Sequence, residues 1–332
     1  MKTRDQSLDI LRGMGIFLMV FDYVGWGTTV HTYIQSFHML LFFIVSGYLW
    51  KNEKLSSLAK KRFKTLMIPY IFFSVLYLIL QMIPVLGREN SSFIYSLKAI
   101  ALYPTDMSNM PIAPALWFLP CMFLSSIVYS LLSRLGFRVK ALAIVGITAL
   151  GMLYSSLSDI MLPFAIEPLT VALGFMLVGE FINKKQELVM NWIDKSWLVV
   201  ILFAVEVILA MVNKSVDLRS ARYHNCIIYL INSIVGTLAY WGIARKINEM
   251  RFSVPLRIGK WLSSLSQNAM GYICMNQFFI LLFNTAFKTF TPTGTVALIA
   301  SKTVVFVAVM AAIFWITQTI MSSRFRIILG GK

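Results

Sequence analysis

Ten stretches of predominantly apolar residues recur from one end of the chain to the other, near 8–27, 34–50, 66–86, 116–134, 141–157, 166–183, 197–213, 226–244, 269–287 and 296–317. As helices of about 17 to 25 residues they match a hydrocarbon layer of about 30 Å. Nothing else in the sequence constrains the fold as strongly. In lipid every backbone N–H and C=O must be satisfied internally, which leaves helices and closed barrels. The runs are too long and too continuously apolar for barrel strands, which alternate with period two. The fold class expected is therefore all-α: a polytopic integral membrane protein with about ten transmembrane helices, in one domain over residues 1–332. Only 13% of side chains are charged, against roughly a quarter in soluble domains. No polar stretch approaches the roughly 100 residues of an appended soluble domain.

The charge is unbalanced, with 30 Lys and Arg against 14 Asp and Glu and a net +16. In a soluble chain that excess would suggest nucleic acid, but here the basic residues cluster between apolar runs, at 51–64 and 245–260. Positive-inside topology and anionic lipid headgroups account for them, so membrane lipids are the expected partners and nucleic acid is not. With the N-terminus placed in the cytoplasm, that side holds 22 basic residues and the other side 6. This predicts cytoplasmic N- and C-termini and fits an even number of spans. The first run contains Arg12 and lacks an A-x-A cleavage pattern, so it is expected to be retained. The 87–115 connection is half apolar over 93–103, which allows it to lie along the outer interface or re-enter. Cys121, Cys226 and Cys274 fall inside expected spans without a C-x-x-C pair and predict neither a disulfide frame nor a metal site.

Ionisable side chains inside spans are costly and are functional candidates by default. Asp9 and Arg12, three residues apart, share a helix face and can pair. Arg12 reads either as a boundary residue snorkelling to the headgroups or as an anion ligand, since a guanidinium fork suits phosphate oxygens. Tyr23 follows Arg12 by eleven residues, three turns on the same face and about 16 Å away. That face joins a cytoplasmic anion site to a point deep in the membrane. His38, one turn inside the next span, is placed at a depth similar to Tyr23. It reads either as a satisfied interhelical hydrogen bond or as a proton acceptor near neutral pH. His31 and His224 are expected at the interface, and three dispersed histidines without nearby carboxylates argue against zinc. Glu167 and Glu180 are expected at interfaces, whereas Glu206 is mid-span and must find a partner or a cavity. Trp117 is an aromatic-belt anchor or a sugar-stacking surface. Asp217, Arg219 and Arg222 form either a solvated outer loop or a glycan-binding one.

Several motifs in order resemble a known family: Leu8-Asp9-Ile10-Leu11-Arg12-Gly13, then Phe37-His38-Met39 with Leu41-Phe42-Phe43 and Ser46-Gly47-Tyr48-Leu49. Arg62-Phe63-Lys64 with Ile68-Pro69-Tyr70, Leu116-Trp117-Phe118-Leu119, Gly179, and Val216-Asp217-Leu218 with Tyr223 and Asn225 continue the pattern. Together they resemble the acyltransferase 3 family of membrane O-acyltransferases, in its fucose 4-O-acetylase-like subgroup, over most of the chain. The resemblance implies a ten-helix domain in a bacterial cytoplasmic membrane. Such a domain takes an acyl group, commonly acetyl, from cytoplasmic acetyl-CoA and delivers it to a hydroxyl of a surface glycan or its lipid-linked precursor.

In that family an arginine and a histidine eleven positions later form an R-X10-H motif. Arg12 matches the arginine, but Tyr23 stands at the histidine position, and Asn276 stands where many relatives have a second histidine. Tyrosine, with an unperturbed pKa near 10, is a poor base at neutral pH. Three readings follow: His38 takes over the proton, Asp22 acts as base or orients Tyr23, or catalysis has been lost. The expected site is thus His38, Tyr23 and Asp22 at the transfer point, Arg12 with Asp9 on the donor, Trp117 and Asp217 on the acceptor, and no metal. A transporter or flippase of a lipid-linked sugar is the rival from another class.

Overall fold

A computed structural model describes residues 5–80, 93–106, 115–250, 252–287 and 294–331. The end of the third expected span at 81–86, and 87–92 and 107–114 of the 87–115 connection, lie outside the described residues. So do Lys2, Arg4, Arg88, Arg251, Lys288 and Lys332 of the topology count. The described residues are all-helical, without a strand, and seven helical runs are long and apolar enough to cross a membrane. They coincide with seven of the ten expected spans.

The other three expected spans differ for physical reasons. The first is α1 (Gln6–Val24), whose 19 residues carry Asp9, Arg12 and Asp22. The second, expected over 34–50, is reduced to α3 (His38–Tyr48): Ile34 and Gln35 end a separate helix in the preceding loop, α2 (Thr28–Gln35), and Ser36 and Phe37, the latter at φ −149° and ψ −27°, part the two. The fourth contracts to the 15 residues of α7 (Phe118–Leu132), a helix of about 22 Å.

The chain forms two compact units. The first comprises Met1–Asn52, Leu135–Leu157 and Thr170–Ala269. In it α1 packs against α3, α12 (Cys226–Glu249) and α13 (Ser253–Gln267), while α11 (Ser196–Asn213) and α12 form an antiparallel hairpin. Small residues set the closest approaches, as is usual where lipid supplies no hydrophobic drive between helices. A Cβ on Gly47 would sit 1.9 Å from the Met176 carbonyl oxygen, and one on Gly179 2.0 Å from that of Ile44. That pair lets α3 and α9 (Ile166–Lys184) touch backbone to backbone. Outward faces are apolar: Leu142 and Leu157 of α8 (Phe137–Leu157) are 76% and 78% exposed, as suits a lipid-facing surface. Glu180 is not left alone, since Lys140 and Lys184 both pair with it.

The second unit comprises Glu53–Arg134, Ser158–Leu169 and Met270–Lys332. Its longest early run joins α4 (Leu55–Arg62) to α5 (Ile68–Leu80) through a π turn over Phe63–Met67. Pro69 has no N–H and would press on the carbonyl four residues back, so the ladder widens, with Ile68 N–H reaching the Phe63 carbonyl. The Tyr77 hydroxyl donates to the Cys274 carbonyl at 2.6 Å, which ties α5 to α14 (Ala269–Ala286). The Tyr272 hydroxyl donates to the Met310 carbonyl of α15 (Thr295–Ser322) at 3.1 Å.

Candidate active site

α1 starts where the Asp5 carboxylate accepts the Ser7 N–H at 3.0 Å and stops where Gly25, at φ 83°, returns its N–H to the Asp22 carbonyl at 2.9 Å. Gly27, at φ 113°, then starts α2. These left-handed glycines reverse the chain. The reversal carries His31 and Gln35, one turn apart on α2, onto the side chain of Asp22. The Asp22 carboxylate, 5% exposed, accepts from His31 Nδ1 at 2.9 Å and from Gln35 Nε2 at 2.7 Å. The hydrogen bond that His31 donates to Asp22 raises its pKa, against the opposing effect of its partial burial. The pair is an oriented imidazole with its carboxylate.

His38 opens α3 just beyond the break, and is 1% exposed. Its Nδ1 lies 2.8 Å from the Ile34 carbonyl oxygen. A carbonyl only accepts, so Nδ1 carries the hydrogen, and in the neutral ring the lone pair sits on Nε2. A backbone acceptor thus fixes the tautomer, the task a carboxylate performs in other histidine bases. The same carbonyl also accepts the Phe37 N–H at 3.4 Å, at the break itself.

The loop from Lys214 to Asn225 closes over the same end of this unit. Its turn pairs the Asp217 and Arg222 backbones in both directions, at 2.8 and 2.9 Å. The Asp217 carboxylate accepts from the Arg219 N–H and the Ser220 hydroxyl and lies 3.7 Å from the Arg219 guanidinium. Asn213 fastens the loop ends, donating to the Tyr223 carbonyl and accepting the Asn225 N–H. Asp217 therefore shapes its own turn. Asp22, its chain neighbour Tyr23, His31 and Gln35 form a polar cluster, and His38 bonds to the carbonyl of Ile34, the residue next to Gln35.

Arg12 and Asp9 lie toward the other end of α1, with the guanidinium 3.5 Å from the carboxylate. Arg12 and Tyr23 share the continuous helix that their spacing requires. Glu206, fully buried on α11, finds its partner at the helix break, accepting from the Ser36 hydroxyl at 3.4 Å. Trp117 belongs to the second unit, where it is buried at the start of α7 and meets Phe118 edge to face. Asn276 is also in that unit, 1% exposed on α14.

The sequence reading missed His31, which it placed as an interfacial residue. Its signal was Gly25-Trp26-Gly27, a reversal that folds residues a few positions later back onto the end of α1. Among the described residues, no group of three or more His, Cys, Asp or Glu could hold a metal ion.

Comparison with curated proteins gave no match, and comparison with solved structures gave none either. A family model for an acyltransferase domain matches residues 5–320, a range that takes in both helical units and every residue of the polar cluster. On that match the chain belongs to the acyltransferase 3 family and is an integral membrane protein.

Proposed function

We propose that the protein is a membrane O-acyltransferase of the fucose 4-O-acetylase-like kind, moving an acetyl group from cytoplasmic acetyl-CoA to a hydroxyl of a cell-surface glycan or its lipid-linked precursor. Residues 1–332 act as a single domain of ten spans with both termini in the cytoplasm of a bacterial cell. One observation carries the reading: His38 donates from Nδ1 to Ile34, so its basic nitrogen is Nε2, beside a cluster whose histidine is paired with Asp22.

The reaction runs through the chain's own groups. The acceptor oxygen attacks the thioester carbonyl carbon as its proton passes to His38 Nε2. The carbon–oxygen bond forms, the carbon–sulfur bond breaks, and the imidazolium returns the proton to the departing thiolate. A positioned base of this kind is worth about 10² to 10⁴ in rate. Arg12, steadied by Asp9, holds the donor's phosphate oxygens about 16 Å along α1 from the position of Tyr23. Asp22 orients His31 and is not itself the base, because His31 and Gln35 already donate to its carboxylate. Tyr23 shapes the site without taking the proton.

The test is thiol release from acetyl-CoA by purified protein in lipid, with total host glycan as acceptor. Arg12→Ala and His38→Ala are expected to lose about a hundredfold or more, and Tyr23→Phe to stay within a few-fold of wild type. Release unaffected by His38→Ala but abolished by His31→Ala would move the base to His31. No release by wild type, with donor still bound, would favour a flippase of a lipid-linked sugar or a member without activity.

A further inference from the structure

Tyr229 and Asn232 stand one turn apart on α12, 1% and 0% exposed. Among the described residues the Tyr229 hydroxyl and both amide atoms of Asn232 have no hydrogen-bond partner. Their neighbours on the same helix do: Ser233 donates to the Ser36 and Tyr229 carbonyls, and Thr237 to that of Ser233. Three buried polar atoms left open on residues one turn apart are costly to fold, and such groups persist where a function uses them.

Their position suggests which function. Ser233, next to Asn232, bonds to Ser36, two residues before His38, at 2.7 Å. A Cβ on Gly236, one turn beyond Asn232, would lie 2.9 Å from the Phe37 ring. The Tyr229 ring stacks on Tyr223, in the loop that Asp217 shapes, with centroids 5.3 Å apart and planes at 23°.

We propose that Asn232 and Tyr229 read the acceptor, and that the acceptor is a pyranose carrying a second hydroxyl beside the one acetylated. An amide offers one acceptor and two donor hydrogens on one rigid plane. One sugar hydroxyl donates to Oδ1 while its neighbour accepts from Nδ2. The Tyr229 hydroxyl holds one of the two, and the Tyr223–Tyr229 stack supplies an apolar wall for the ring's C–H face. An acceptor lacking the neighbouring hydroxyl would leave these atoms unpaired, the arrangement by which buried polar sites discriminate most strongly. The inference rests on the acyltransferase reading and goes beyond it by assigning the residues that select the acceptor.

The experiment measures thiol release from acetyl-CoA with a panel of methyl hexopyranosides, and with the deoxy analogue of the best acceptor that lacks the hydroxyl beside the acetylated one. The proteins compared are wild type, Tyr229→Phe and Asn232→Leu. Tyr229→Phe is the informative variant, because Phe keeps the stack and removes only a hydroxyl without a partner. A purely structural hydroxyl of that kind predicts an unchanged KM and an equal or higher Tm. The proposal predicts an equal or higher Tm together with an acceptor KM raised about tenfold or more and an unchanged KM for acetyl-CoA. It also predicts that wild type prefers the parent sugar over its deoxy analogue at least about tenfold, and that Asn232→Leu brings the preference close to one. Turnover with unaltered acceptor KM and unaltered preference in both variants overturns the assignment of this pair alone. Absence of turnover by wild type with every acceptor removes the acyltransferase reading, and this inference with it.

Discussion

Replacing Gly47 by alanine tests whether the α3–α9 crossing holds His38 in place. A Cβ there would stand 1.9 Å from the Met176 carbonyl oxygen and 2.6 Å from the Met176 Cα. Both obstacles are backbone, so no rotamer relieves them. Ordinary contact begins at 3.4 Å, and the two helices must separate locally by about 1.5 Å. Overpacking of a close-packed interior costs about 1–3 kcal/mol. His38 lies at the other end of the same 11-residue helix, and a displacement of about 1 Å at a reacting group can cost a hundredfold. Gly47→Ala should therefore lower the unfolding midpoint in detergent or nanodisc and reduce kcat by about ten- to a hundredfold. Gly179→Ala opens the same crossing from the other side, at 2.0 Å from the Ile44 carbonyl oxygen, so the double variant should cost less than the sum of the single ones. Wild-type stability and kcat in Gly47→Ala would show that the helices do not meet at this distance, and additive costs would show that the two glycines serve separate contacts.

Asp22→Asn should lower the pKa of His31 toward its ordinary 6.5, because the hydrogen bond to the Asp22 carboxylate is the leading cause of its elevation. A histidine whose folded pKa is raised contributes stability that is fully present below the unfolded value of about 6.5 and lost as pH rises through the folded value. Wild type should thus lose this contribution as pH rises above about 6.5 through the raised folded value, and Asp22→Asn should not. Melting curves across that range with parallel pH dependence in the two proteins would contradict the pairing. Asn225→Ala removes the side-chain acceptor of the Ile227 and Ile228 N–H groups at the start of α12. It should cost about 1 kcal/mol of stability, and hydrogen exchange should accelerate in the first turn of α12 while the far end of that helix is unaffected.

The sequence by itself carried much of the architecture. Helical runs that seal their own backbone polar groups are the only structures that such continuous apolar stretches allow in lipid, and seven of them stand where hydropathy placed them. The spacing of Asp9, Arg12, Asp22 and Tyr23 needed only the helical repeat to order them along one element, and α1 is continuous across all four. Interruptions were less legible. The residues around Ser36 and Phe37 are apolar enough to read as one span, and the break between α2 and α3 is held by contacts from elsewhere, Glu206 to the Ser36 hydroxyl and Ser233 to its carbonyl.

Only the tertiary structure decided how the polar side chains divide their hydrogen bonds. Asp22 was read as a candidate base beside Tyr23, yet its carboxylate turns to His31 and Gln35, because two left-handed glycines bring α2 back over the end of α1. His38 was recognisable as a membrane histidine, but the ring nitrogen that holds the lone pair depends on its bond to the Ile34 carbonyl. Asp217, read either as part of a solvated loop or as a sugar ligand, bonds within its own turn, which its sequence neighbours alone did not reveal. Tyr229 and Asn232 carry no local pattern at all. What distinguishes them is the absence of a partner among the described residues. Periodicity fixes which residues share a helix face, whereas the pairing of a buried polar group depends on residues far away in sequence, such as Glu206 and Ser36, 170 positions apart.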